Sequence, residues 1–233
     1  MSAEQIKPYK YLTYFVAAFI ACYMVQEVLL NRLTSIGAGY ITGGTFIYFT
    51  SPLIIDVVAE VYGYKVARQI IFCGLFSLLF MAVCVAICLK MPYPAFWKNV
   101  DAAYYLALES VVRTSIVSSI AVFIGQVINA YLISKWRILV KGKYFWLRCL
   151  GSSVIGDSAT VILTTLGTFS GRIPTNMFAA NLVPELIIMV VFTSIGAIPA
   201  TFMANFLKKA ENVDSDNFSL NFNPFKLSEK DNG

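Results

Sequence analysis

Asp56 and Glu60 stand four residues apart in an otherwise apolar run, "PLIIDVVAEVYGYKVARQ". On a helix that spacing puts both carboxylates on one face, with Pro52 one turn earlier. Two carboxylates on one face repel unless a cation, a proton or a donor-rich ligand separates them. For Asp56, deep in the run, the spacing favours binding; for Glu60 an ordinary ion pair with Lys65 or Arg68 fits as well. Gln126 and Asn129 in "FIGQVINAY" are three apart, so their amides share a side and can both donate and accept, toward a ligand or a neighbouring helix. Asp157 and Thr160 share a face in "SSVIGDSATVILTTLGTF", with Gly156 allowing close packing; Asp157 either lines a site or pairs with Arg148 or Arg113. Glu185 follows Pro184, and Pro199 lies deeper; prolines free backbone carbonyls and locally break helices, although Glu185 also suits an interfacial anchor. Arg113, nearly opposite Gln126 at about 100° per residue, does not simply share a pocket wall with it; pairing with a carboxylate on another helix is one of two open readings.

These groups matter because of where they sit. Of 233 residues, 58% are hydrophobic and only 13% charged, too little polar surface to cover a water-soluble globule. The apolar residues form about six blocks near the roughly 20 residues that span hydrocarbon: Tyr11 to Leu30, Tyr40 to Val58, Gln69 to Cys88, Val111 to Ile133, Trp146 to Phe169 and Met177 to Leu207. A run such as Ile70 to Leu89 lacks the alternation of barrel strands. The expectation is an all-α membrane protein of about six transmembrane helices, as two three-helix halves of the kind many carriers build. An ionised group in hydrocarbon costs about 3 to over 10 kcal/mol, so each one named above must face a cavity or a partner.

Positive residues cluster at alternate helix ends, at Lys7 and Lys10, Lys65 and Arg68, Lys135 to Lys143, and Lys208 and Lys209, which requires an even number of crossings with both termini cytoplasmic. The run after Lys7 and Lys10 is too long for a signal-peptide core and no small-x-small site follows it, so an uncleaved first helix is expected. Topology residues account for the net charge of +5, leaving no basic stripe for nucleic acid. Five cysteines without metal-type pairing, and no histidine, predict neither a disulfide framework nor a metal site or other cofactor. Met91 to Tyr105, with Pro92, Pro94 and a run of aromatic residues, reads as an outer interfacial loop. Residues 1–209 form the membrane domain, and the acidic, polar residues 210–233 a mobile cytoplasmic tail. The small residues from Gly37 to Gly44 suit close packing within one chain or between the two chains of a homodimer.

The pattern Asp56, Glu60, Tyr62, Gly63, Ala67 and Arg68, followed by an apolar helix, resembles the queuosine-precursor transporter family. Arg113 twelve residues before Gly125-Gln126 and a polar fifth helix around Asp157 are similar too, and the likeness runs from the first helix to the last. The chain departs from the family pattern at Asn129, where relatives often carry Asp, at Thr160, and near Ile188, where they carry Lys. The resemblance implies a bacterial inner-membrane importer, not an enzyme. Its substrate would be a deazapurine salvaged for tRNA modification: 7-cyano-7-deazaguanine, its aminomethyl derivative or queuine. A guanine-like edge offers N–H donors to Asp56, Glu60 or Asp157 and an oxygen to Gln126, Asn129 or Arg113, and Tyr40, Phe46, Phe49 or Tyr62 could stack on it. No phosphate-binding loop is present for using ATP. A capture subunit of a multi-component vitamin-type importer, needing separate energising partners, is the alternative. An intramembrane aspartyl protease is disfavoured because Val154 stands where that motif has Gly.

Overall fold

The structure is a computed structural model that describes residues 9–37, 39–139, 145–174 and 177–211. Lys7, Lys141, Lys143, the side chains of Phe46, Arg137 and Cys149, and the expected tail from residue 212 on lie outside the described residues.

Helix α1 is Leu12–Leu30; a hairpin follows, β1 (Leu33–Ile36) and β2 (Gly39–Thr42); then come α2 (Thr45–Tyr48), α3 (Thr50–Tyr62), α4 (Tyr64–Cys88), a 3-10 turn at Ala95–Trp97, α5 (Lys98–Leu139), α6 (Phe145–Phe169) and α7 (Met177–Glu211). The protein is an all-α membrane protein with almost no sheet. By length and composition α1, α4, most of α5 and α7 are each apolar enough to cross a membrane. The α2–α3 segment and the Ser/Thr-rich α6 complete six passes, α3 because it is short and α6 because it is polar falling outside that group.

Contacts set the directions. Asn129 and Gly125 of α5 meet Gly156 of α6 while Val117 meets Gly167, so these helices are antiparallel. Phe49 stacks on Phe192 and Leu53 packs against Gly196, so α3 and α7 run parallel. The backbone N–H groups of Lys10 and Tyr11 donate to Glu211, at 3.2 and 2.9 Å, bringing the start of α1 and the end of α7 to one end of the bundle. Lys65, Arg68, Lys208 and Lys209 sit at that same end, which the positive-inside rule makes cytoplasmic.

Three expectations are corrected. The block from Tyr40 does not begin as a helix: Gly39–Thr42 pairs with Leu33–Ile36, and the helix runs on to Tyr62. Glycines explain the break, since a Cβ on Gly39 would lie 2.6 Å from the Pro184 ring and one on Gly43 3.0 Å from the Leu29 carbonyl. The small-residue stretch is thus used for packing within the chain, and Gly37 takes the positive φ of 57° that the hairpin turn needs. Second, α7 runs unbroken through Pro184 and Pro199. Third, the expected outer loop is helical from Lys98 on. Pro94 stays extended, but Asp101 in the first turn and the Ala- and Leu-rich sequence after it favour helix.

Between α3 and α4 a single residue, Gly63, reverses the chain at φ 87° and ψ 160°, a conformation open in practice only to glycine. The Tyr62-Gly63 pair of the motif is therefore a helical hairpin. The apolar core packs Phe19 and Tyr23 of α1 against Ile55, Val58 and Val61 of α3 and Ile70, Leu75 and Leu78 of α4. Outward, Phe76, Phe80, Ile198 and Phe202 are exposed, whereas Glu27, Asp56, Ser118, Ser153, Asp157 and Asn181 are buried. Polar groups inside and apolar ones outside suit a hydrocarbon solvent.

Candidate functional site: a polar crevice between the helices

The hairpin and α2 take space that a straight second helix would fill. A crevice with about 500 Å³ of unfilled space, part of it open to the exterior, remains between α1, the β2–α2 corner, α5, α6 and α7. Gln26, Thr42, Thr45, Ser118, Thr160, Thr164 and Glu185 supply its polar wall. A second cleft of about 310 Å³ adjoins it on the cytoplasmic side, lined among others by Tyr23, Ser51 and Gln126. Gln26, Tyr48, Val122 and Thr160 border both, so Tyr48 stands at the junction.

Glu185 is buried and accepts hydrogen bonds at one oxygen from the Thr42 backbone N–H, 2.7 Å, and the Thr45 hydroxyl, 3.2 Å. It latches the hairpin corner to α7 while facing the crevice. Nearby, the Asn181 amide donates to the Tyr40 carbonyl at 3.3 Å.

Deeper, Asp56 accepts from the Ser153 hydroxyl at 2.8 Å and from the Asn129 amide at 3.4 Å. Asp157 lies near Asp56 and Tyr48, and its Oδ2 has no hydrogen-bond partner in the structure. The Asn129 carbonyl oxygen is likewise buried and unpartnered. Buried polar atoms are nearly always paired, so unpaired ones beside a crevice mark where a polar ligand can bind. The close crossing of α5 and α6 holds this cluster: a Cβ on Gly156 would lie 2.7 Å from the Gly125 carbonyl and 2.8 Å from the Asn129 Cβ.

Of the seven residues chosen from sequence, Asp56, Asn129 and Asp157 come together, Gln126 lines the deeper cleft and Glu185 the outer crevice. Glu60 is placed elsewhere. It is ion-paired with Lys208 of α7, rather than with Lys65 or Arg68, because α3 and α7 run side by side to the cytoplasmic end. Arg113 also points away: its guanidinium donates to the Gly167 and Ser170 carbonyls, at 2.8 Å each, and so caps the end of α6. Among the stacking candidates, Phe49 is buried against Phe192, and Tyr62 donates its hydroxyl to Glu211 at the cytoplasmic end. Tyr48, absent from the sequence-derived candidates, is the ring that borders both clefts. Gln26 and Glu27, absent from that set, interrupt the first apolar block and carry the same burial cost that singles out Asp56. Nothing in the local pattern would have marked Tyr48.

Glu60 and Lys208 are each about one-fifth exposed, and such pairs contribute less than about 1 kcal/mol. Glu60→Gln is therefore expected to keep substrate affinity and to shift the unfolding temperature only slightly. A large affinity loss in a binding assay would return Glu60 to the site.

An apolar bundle of long hydrophobic helices that encloses a two-part crevice with polar groups set in a largely apolar lining is the architecture of a multi-pass membrane protein. Residues 42–205 match the family model described as "Putative vitamin uptake transporter", and the chain belongs to that family, which is also that of the queuosine-precursor transporters. No curated protein and no solved structure matches the chain.

Proposed function

We propose that this protein imports a deazapurine precursor of queuosine across a bacterial inner membrane by alternating access around the crevice. The observation that carries the reading is carboxylates beside amides at the crevice: Glu185 and Gln26 line it, Gln126 lines the adjoining cleft, and the buried Asp157, Asp56 and Asn129 lie behind them. A guanine-like edge presents adjacent N–H donors and a carbonyl oxygen, the complement of carboxylate next to amide. The Tyr48 ring, at the junction of the two clefts, offers a face on which a flat bicyclic ligand can stack. The Asp56 to Arg68 motif, through its resemblance to the queuosine-precursor transporters, supports deazapurines as the substrate class.

The test is uptake of labelled 7-cyano-7-deazaguanine and queuine into liposomes that carry only the purified chain, beside Asp56→Asn. The expected result is uptake by the parent that falls at least about ten-fold in the variant, the loss of one hydrogen bond to a charged group. Binding without uptake would turn the reading toward a capture subunit that needs energising partners. Neither binding nor uptake would sink the deazapurine assignment.

A further inference from the structure

Glu27 is fully buried in the last turn of α1. Its Oε1 accepts from the Ser118 hydroxyl at 3.1 Å, and its Oε2 has no hydrogen-bond partner in the structure. The neighbours on every packed element are neutral or turned away. On α1, Tyr23 lies one turn earlier, and Arg32 beyond the helix end is exposed. From α5, Thr114 and Ser118 face it, while Arg113 spends its guanidinium on the carbonyls at the end of α6. From α2 the titratable group is Tyr48; on α3, Asp56 is bound to Asn129 and Ser153 and Glu60 to Lys208. On α4, Lys65 and Arg68 sit at the opposite, cytoplasmic end. Among the described residues no basic side chain forms an ion pair with Glu27.

A carboxylate enclosed in this way cannot remain ionised at small cost, and the two neighbouring hydroxyls, Ser118 and Thr114, do not replace water. It is nevertheless one residue from the crevice: Gln26 before it and Ser118, its hydrogen-bond donor, both line the wall. A charge change at Glu27 therefore acts on groups that a substrate would touch.

We propose that Glu27 is a proton-carrying site that couples uptake to the proton gradient, separate from the carboxylates that bind substrate. A proton from the outer side adds to Oε2 while the crevice is open outward, giving the neutral acid. The closed, substrate-loaded state carries it neutral, and the O–H bond breaks to the cytoplasm when the crevice opens inward. This rests on the transporter reading above.

The experiment uses the full chain in liposomes containing a pH-sensitive dye, with 7-cyano-7-deazaguanine added outside and the pH gradient set independently. The parent is expected to acidify the lumen as substrate enters and to accumulate substrate above the outside level only when the outside is acidic. Glu27→Gln, which keeps the Ser118 bond, is expected to retain exchange of labelled for unlabelled substrate at equal concentrations and to lose both lumen acidification and accumulation. A variant that still accumulates substrate like the parent overturns the proposal. So does a parent that exchanges substrate but moves no protons, or one driven by a sodium gradient alone; these arms need no variant and hold even if Glu27→Gln misfolds. A parent without exchange refutes the transport reading itself, and the coupling with it.

Discussion

Glu185→Gln is expected to leave the protein folded while lowering substrate affinity about ten- to hundred-fold. Glutamine keeps a side-chain oxygen that can accept from the Thr42 N–H and the Thr45 hydroxyl, so the latch between the hairpin corner and α7 survives. What it removes is the charge, and a hydrogen bond to a charged group contributes about 1.5–3 kcal/mol, one to two powers of ten in affinity. Glu185→Ala is expected to do both kinds of damage. It leaves the buried Thr42 N–H without its acceptor, at about 1–3 kcal/mol, leaves the Thr45 hydroxyl only its bond with the Thr42 hydroxyl, and lets the corner move. Substrate titration together with thermal unfolding in detergent separates the two effects. Parent-like affinity in the glutamine variant would reduce Glu185 to a latch.

The second large effect is expected at Gly156. Its α-carbon faces the Gly125 carbonyl so closely that any Cβ would lie 2.7 Å from that oxygen and 2.8 Å from the Asn129 Cβ, a distance side chains do not adopt. Gly156→Leu must push α6 away from α5, and that movement pulls Ser153 and Asn129 apart from the Asp56 carboxylate between them. Overpacking of this kind costs about 1–3 kcal/mol, which for a chain of this size lowers the unfolding temperature by roughly 2–12 °C. Uptake is expected to fall further than stability, because the Asp56 cluster depends on the same contact. Parent-like stability and uptake in Gly156→Leu would show that the helices do not meet at that point.

Gly156 and Asp56 illustrate what could be read from the chain before its fold. That Asp56 and Asp157 are costly in hydrocarbon follows from residue type and position in an apolar block, and they do meet. The same rule applied to the first block would have found Glu27. Glu60 and Arg113 satisfied the rule too, but their partners, Lys208 and the carbonyls ending α6, come from helices 148 and 54 residues away, and no local pattern specifies them. The hairpin before α2 was hidden because Tyr40, Ile41 and their neighbours are apolar enough to read as a helix. Only the close approach of Gly39 to Pro184 shows why the chain turns there.

The amino-acid sequence by itself determined that this is an apolar helical bundle in a membrane, which end of it is cytoplasmic, and which family motif its second and third apolar blocks carry. Those properties are sums of local transfer energies and charges along the chain, so they need no knowledge of which helix lies beside which. The tertiary structure alone decided that Asp56, Asn129, Ser153 and Asp157 form one cluster, that Glu185 latches the hairpin corner beside the crevice, and that Tyr48 stands between the two clefts. The physical reason is that helix rotation and register are set where glycines let a neighbour come close, backbone to backbone at Gly125 and Gly156, and backbone to side chain at Gly196 against Leu53 and Gly39 against Pro184.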